Sequence, residues 1–99
     1  MRPIHVAELD KARPVLVLTR SVVRPHMGTV TVAPITTSVR GLSTEVPVGP
    51  ANGLARRSVV ACDHVTTIPS GSLASQIGVL FDSQEPELSR AIQAAFDLD

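Results

Sequence analysis

Aromatic side chains are nearly missing from this sequence: its 99 residues include no tryptophan or tyrosine and only two phenylalanines, Phe81 and Phe96. Stacking of bases on aromatic platforms therefore cannot be its main mode of recognition. Cysteine is reduced to one, Cys62, which excludes an internal disulfide and fits a reducing compartment. Set in the apolar run Ser58 to Cys62, that thiol reads as a buried, inert core residue. The longest apolar stretch, around Pro14 to Leu18, is far too short to span a bilayer, and no basic segment followed by an apolar core opens the chain. A cytoplasmic protein with no membrane partner is expected.

Chemistry is narrowed in the same way. No Cys or His cluster has zinc spacing and no glycine-rich phosphate loop precedes a helix, so neither a metal nor a nucleotide cofactor is expected. His5, His26 and His64 are scattered, and a lone histidine is more often structural than catalytic. Gly-Ser-Leu-Ala-Ser at Gly71 to Ser75 lacks the spacing of a nucleophile elbow, which argues against a serine hydrolase.

Net charge is also lacking: nine basic residues face nine acidic ones. Their distribution is uneven, since eight basic and three acidic residues precede Cys62, an excess of five, while the tail from Asp82 is acidic. The first part is suited to meeting phosphate and the last to staying away from it. A chain of this length makes one domain, residues 1–99, that buries only about 60 to 65% of its unfolded surface, so a homodimer is a reasonable expectation.

What the sequence does contain is a series of short β-rich runs divided by turn residues, the pattern of a small barrel or sandwich. Strands are expected at Ile4 to Leu9, Pro14 to Thr19, Thr29 to Ile35, Thr44 to Val48, Ser58 to Cys62, Thr66 to Ile68 and Ile77 to Phe81. Pro14 to Thr19 is apolar without alternation, which suits a central strand covered on both faces. Arg20 to Gly28 and the Gly49 to Gly53 cluster read as loops, Ser70 to Ser72 as a turn, and Pro34 as the edge or end of its strand. Beyond Ser83, an expected N-cap, the period changes: Leu88, Ile92, Ala95 and Phe96 lie on one face of an amphipathic helix with Pro86 in its first turn.

Three stretches stand out. Lys-Ala-Arg-Pro-Val-Leu-Val-Leu-Thr (Lys11 to Thr19) and Val-Ala-Pro-Ile-Thr-Thr-Ser (Val32 to Ser38) each put polar groups at a strand end, and Ser-Val-Val-Ala-Cys-Asp-His-Val-Thr-Thr-Ile spans Ser58 to Ile68. With Ile-His-Val-Ala-Glu-Leu-Asp at Ile4 to Asp10, they resemble in order and separation the motifs of the MazF/PemK family of toxins. The resemblance covers nearly the whole chain. It implies a mostly β, SH3-like small barrel (CcdB/MazF-like) with a C-terminal α-helix, usually a homodimer, acting as the toxin of a type II toxin-antitoxin system. The implied activity is metal-independent, sequence-selective endoribonuclease cleavage of single-stranded RNA by 2′-hydroxyl attack, inhibited by a cognate MazE-like antitoxin.

Carried onto this chain, the resemblance makes Arg13 and Thr36 catalytic and Thr37, Ser38, Asp63 and His64 substrate-binding. Arg13 suits its role because a planar guanidinium stays charged and can take two phosphate oxygens at once, and Pro14 holds it extended. A β-branched Thr36 offers a hydroxyl with few rotamers. Two departures stand against the family pattern. Only Lys11 and Ala12 separate Asp10 from Arg13 where many members have a long loop, and Ala61 stands where some have an arginine; Arg24 and Arg40 are the candidates for replacing that charge. The alternatives are a non-catalytic, CcdB-like toxin that binds DNA gyrase, and a plain barrel-type interaction module.

Overall fold

The structure, a computed structural model, describes residues 1–20 and 28–98. Seven strands run β1 (Arg2–Glu8), β2 (Ala12–Val17), β3 (Thr29–Thr36), β4 (Glu45–Val48), β5 (Ser58–Ala61), β6 (Thr66–Pro69) and β7 (Leu73–Leu80), followed by helix α1 (Glu85–Phe96). All described pairings are antiparallel, in the order β4-β5-β3-β2-β1-β7, with β6 on the first half of β3. The expected mostly β, SH3-like fold with a C-terminal helix is what forms, its sheet curled into a half-barrel. Each expected strand is present with ends shifted by a few residues, and Cys62 lies just beyond β5 in a 3-10 turn over Cys62–His64. Most of the expected loop at Arg20 to Gly28, with Arg24 and His26, lies outside the described residues.

β2 is central, and its lack of alternation has the expected cause. Leu16 belongs to the larger core cluster with Ile4, Val46, Val60, Leu80 and the helix residues Leu88 and Ala91. Val15 and Val17 point the other way, into a second cluster with Ala7, Val30, Val32 and Ile68. Both faces of the strand are therefore covered. Pro34 does not mark an edge or end, as its missing N–H suggested; it lies inside β3. There the strand exchanges β6, paired through Val32, for β5, paired from Ile35, so the ladder asks for no donor at that point.

Two expectations for the helix need correction. Ser83 is not its N-cap: the chain enters α1 through a 3-10 turn over Asp82–Gln84, and it is the Gln84 Oε1 that accepts the Phe81 N–H at 2.9 Å. Phe96 is 54% exposed rather than packed, and Ala91 takes its place, so the buried stripe runs Leu88, Ala91, Ile92, Ala95. That stripe has helical spacing throughout, whereas Phe96 sits at the last position before Asp97, whose left-handed conformation ends the helix. Cys62 is fully buried, and burial, with the Asp63 charge adding, pushes its thiol up to about 11.

The turn at Pro50–Asn52 is tied to β7 and α1 by one buried side chain. Asn52 donates to the Val79 carbonyl at 3.0 Å and to Gln84 Oε1 at 2.8 Å, and accepts the Gly49 N–H at 3.1 Å. The backbones meet so closely that a Cβ on Gly78 would lie 1.7 Å from the Asn52 carbonyl oxygen. Gly78→Ala is therefore expected to destabilise the fold by about 1 to 3 kcal/mol, the usual range for forced overpacking. Urea unfolding measures it, and an unchanged midpoint would show that the close approach is not a constraint.

Candidate active site

The tight β1–β2 hairpin orients the first residue of the site. Between Glu8 and Ala12, which pair, only three residues turn the chain. Asp10 in that turn accepts the Lys11 N–H at 3.0 Å and takes Arg13 in two bonds, from Nε at 3.1 Å and from Nη2 at 3.2 Å. The Arg13 guanidinium beside it holds the Asp10 carboxyl below its ordinary value. Because Asp10 is exposed and Arg13 only half-buried, the pair adds little to stability; its effect is to aim the guanidinium, whose remaining N–H groups stay free.

β3 brings the second residue. Its register with β2 pairs Val15 with Pro34 and Leu16 with Ala33, two residues short of Arg13 and Thr36, and both of those side chains line the same cleft. Thr36 also pairs with Val59 of β5 and is the last residue of β3. Its Oγ1 accepts the Ser38 N–H at 3.1 Å, which leaves the hydroxyl proton free to donate outward.

These groups line one cleft of about 290 Å³, whose wall includes Arg13, Thr36, Ser38, Arg40, Asp63 and His64. Of the residues expected from sequence, Arg13, Thr36, Ser38, Asp63 and His64 thus come together, while Thr37 is exposed and does not line the cleft. Asp63 is held from the side, Thr44 Oγ1 donating to Oδ2, so Oδ1 remains open as an acceptor. Neither phenylalanine lines the cleft. Ala61 lies in its wall as a small apolar residue. Among the described residues no group of three or more His, Cys, Asp or Glu is placed to hold a metal ion.

Sequence reading missed Asp10, Thr44 and Glu45. The spacing of Asp10 and Arg13 was a usable signal, since a hairpin turn brings such neighbours together. Thr44 and Asp63 are 19 residues apart, and only the fold joins them.

The description "PemK-like, MazF-like toxin of type II toxin-antitoxin system" belongs to the family profile that matches residues 2–96. Endoribonuclease MazF3 of Mycobacterium tuberculosis is 68% identical over 99 residues, covering all of this chain and 96% of that one. The solved structure of the Mycobacterium tuberculosis toxin MazF-mt6 matches with a TM-score of 0.97 and 67% identity over 99% of both chains. An endoribonuclease from a mycobacterial species, solved with its cognate antitoxin, shares the fold at a TM-score of 0.87 and 22% identity over 98% of this chain and 93% of that one.

The Asp10–Arg13 pair has a pH signature. A carboxylate with a lowered pKa contributes its stabilisation above the ordinary 3.8 and loses it as pH falls through the lowered value. An NMR titration of the Asp10 carboxyl is expected to give a midpoint below 3.8 that Arg13→Ala returns upward. A midpoint indifferent to Arg13→Ala would mean that the two side chains do not pair in solution.

Proposed function

This chain belongs to the PemK-like, MazF-like toxin family of type II toxin-antitoxin systems, and from that membership we propose that it is an endoribonuclease toxin that cuts single-stranded RNA in the cleft shared by Arg13 and Thr36. The observation that carries the reading is the placing of one guanidinium and one outward hydroxyl on adjacent strand ends, in a cleft also lined by Asp63 and His64. The relatives' names support a nuclease and not the gyrase-binding alternative.

In the proposed reaction the ribose 2′-oxygen attacks the adjacent phosphorus and the bond to the 5′-oxygen breaks. The proton lost from the 2′-hydroxyl is balanced by one gained on the leaving oxygen, giving a 2′,3′-cyclic phosphate and a 5′-hydroxyl. Negative charge grows on the non-bridging oxygens, where the free N–H groups of Arg13 and the Thr36 hydroxyl can meet it without a metal ion. Ser38, the open Asp63 oxygen and His64 would contact the substrate beside the scissile bond, with Asp63 accepting from a base edge. Thr37, exposed outside the cleft lining, has the weakest claim among the expected contacts.

The same reading gives the protein a cytoplasmic place of action, a homodimeric state and a MazE-like antitoxin. No described helix is long and apolar enough to cross a membrane. Exposed Val39, Leu42, Ile77, Phe96 and Leu98 supply apolar surface for a second copy or for the antitoxin. An acidic antitoxin segment would be drawn to the two arginines of the cleft, Arg13 and Arg40, and compete there with RNA.

Incubation with single-stranded RNA in excess EDTA tests the proposal. Cleavage to cyclic-phosphate ends is expected, with Arg13→Ala and Thr36→Ala each slowing it by roughly 10²- to 10³-fold, the loss seen when one transition-state donor is removed. Intact RNA with wild type, or equal cutting by Arg13→Ala, would overturn it.

A further inference from the structure

Arg13 is tied to Asp10, and Ala61 contributes no charge from β5. The other guanidinium of the cleft is that of Arg40, which has no carboxylate partner among the described residues. An acidic residue does stand close by in the chain, but it is engaged elsewhere. The Glu45 carboxylate accepts the Arg40 N–H at 3.1 Å, the Gly41 N–H at 2.9 Å and the Leu42 N–H at 3.2 Å. Three successive amides converge on one anion in this way only where the chain forms a concave nest, and Gly41 at φ 74° supplies the left-handed residue that such a turn needs. Glu45 is itself fixed at the start of β4, across from Ala61.

The arrangement separates two jobs. The carboxylate makes its hydrogen bonds to main-chain donors, so it holds the turn without forming a salt bridge to the arginine that the turn carries. The guanidinium keeps its full charge at the cleft wall, and its backbone is already ordered, which lowers the cost of binding an anion.

We infer that Arg40 binds a phosphate of the RNA next to the scissile one, and that Glu45 is a positioning residue that holds Arg40 there through the 40–42 turn. This rests on the nuclease reading and adds to it the site for the flanking phosphate. It gives Glu45 an effect opposite in sign to simple electrostatics. A cleft carboxylate that merely repelled RNA would strengthen binding when neutralised, whereas a positioning carboxylate weakens it.

The test uses the full chain and two RNAs of one sequence, all-ribose for cleavage and 2′-deoxy at the cut position for affinity, across a salt series. Arg40→Ala is expected to flatten the dependence of log affinity on log salt by about 0.7, the value for one single-strand phosphate contact, and to lower kcat/KM. Arg40→Lys should restore the slope. Glu45→Gln should weaken binding of the 2′-deoxy RNA, and should add no further loss in the Arg40→Ala background. An unchanged slope and rate in Arg40→Ala, or equal or tighter binding by Glu45→Gln, would overturn the inference while wild-type cleavage left the nuclease reading standing. Intact all-ribose RNA with wild type would remove both. If Glu45→Gln unfolds at the assay temperature, the Arg40→Ala and Arg40→Lys slopes decide the phosphate contact and Glu45→Asp, which keeps the charge on a shorter arm, decides the positioning.

Discussion

The register of β2 against β3 is the constraint from which the site follows. Val15 opposite Pro34, Leu16 opposite Ala33 and Val17 opposite Val32 are fixed by two different apolar clusters on the two faces, so a slip by one residue would move every side chain to the wrong cluster. The same two strands, continued past the hydrophobic part, bring Arg13 and Thr36 to one cleft. Core packing thereby determines the relative position of two polar side chains that the core itself does not contain.

At each strand end a short hydrogen-bonded device finishes the alignment. Asp10 turns the hairpin and aims Arg13, the Ser38 N–H fixes the Thr36 oxygen, Thr44 holds Asp63, and Glu45 gathers the 40–42 turn. Asp10, Asp63 and Glu45 thus each accept at least one hydrogen bond, Asp63 keeping Oδ1 open. This matters for a site that must accept a polyanion, because carboxylates already satisfied by amides, hydroxyls or guanidinium oppose an incoming phosphate less than free ones would. The short β1–β2 connection puts the orienting of Arg13 on the hairpin turn.

Much of the fold was legible because it rests on local periodicity: the seven strands, the absence of alternation in Val15 to Val17, and the change to helical spacing at Leu88. The errors fall where a distant partner decides. Ser83 has the right chemistry for a cap, but Gln84 is held by Asn52 and by the Phe81 N–H, so the helix begins later. Pro34 reads as a strand end until two different partners are seen to divide β3 between them. At the site, the motif strings pointed to Arg13, Thr36 and Asp63, which the fold brings to one cleft, while Thr44 and Glu45 were silent because their places depend on bonds to Asp63 and to the amides of the 40–42 turn, which no spacing rule marks out.

The central claim is that one RNA phosphate is shared by the ends of β2 and β3. A crystal structure with single-stranded RNA bearing a 2′-deoxy sugar at the cut position measures this directly. The scissile phosphate should lie within hydrogen-bonding distance of both the Arg13 guanidinium and the Thr36 hydroxyl. RNA bound with that phosphate away from either side chain would contradict the account.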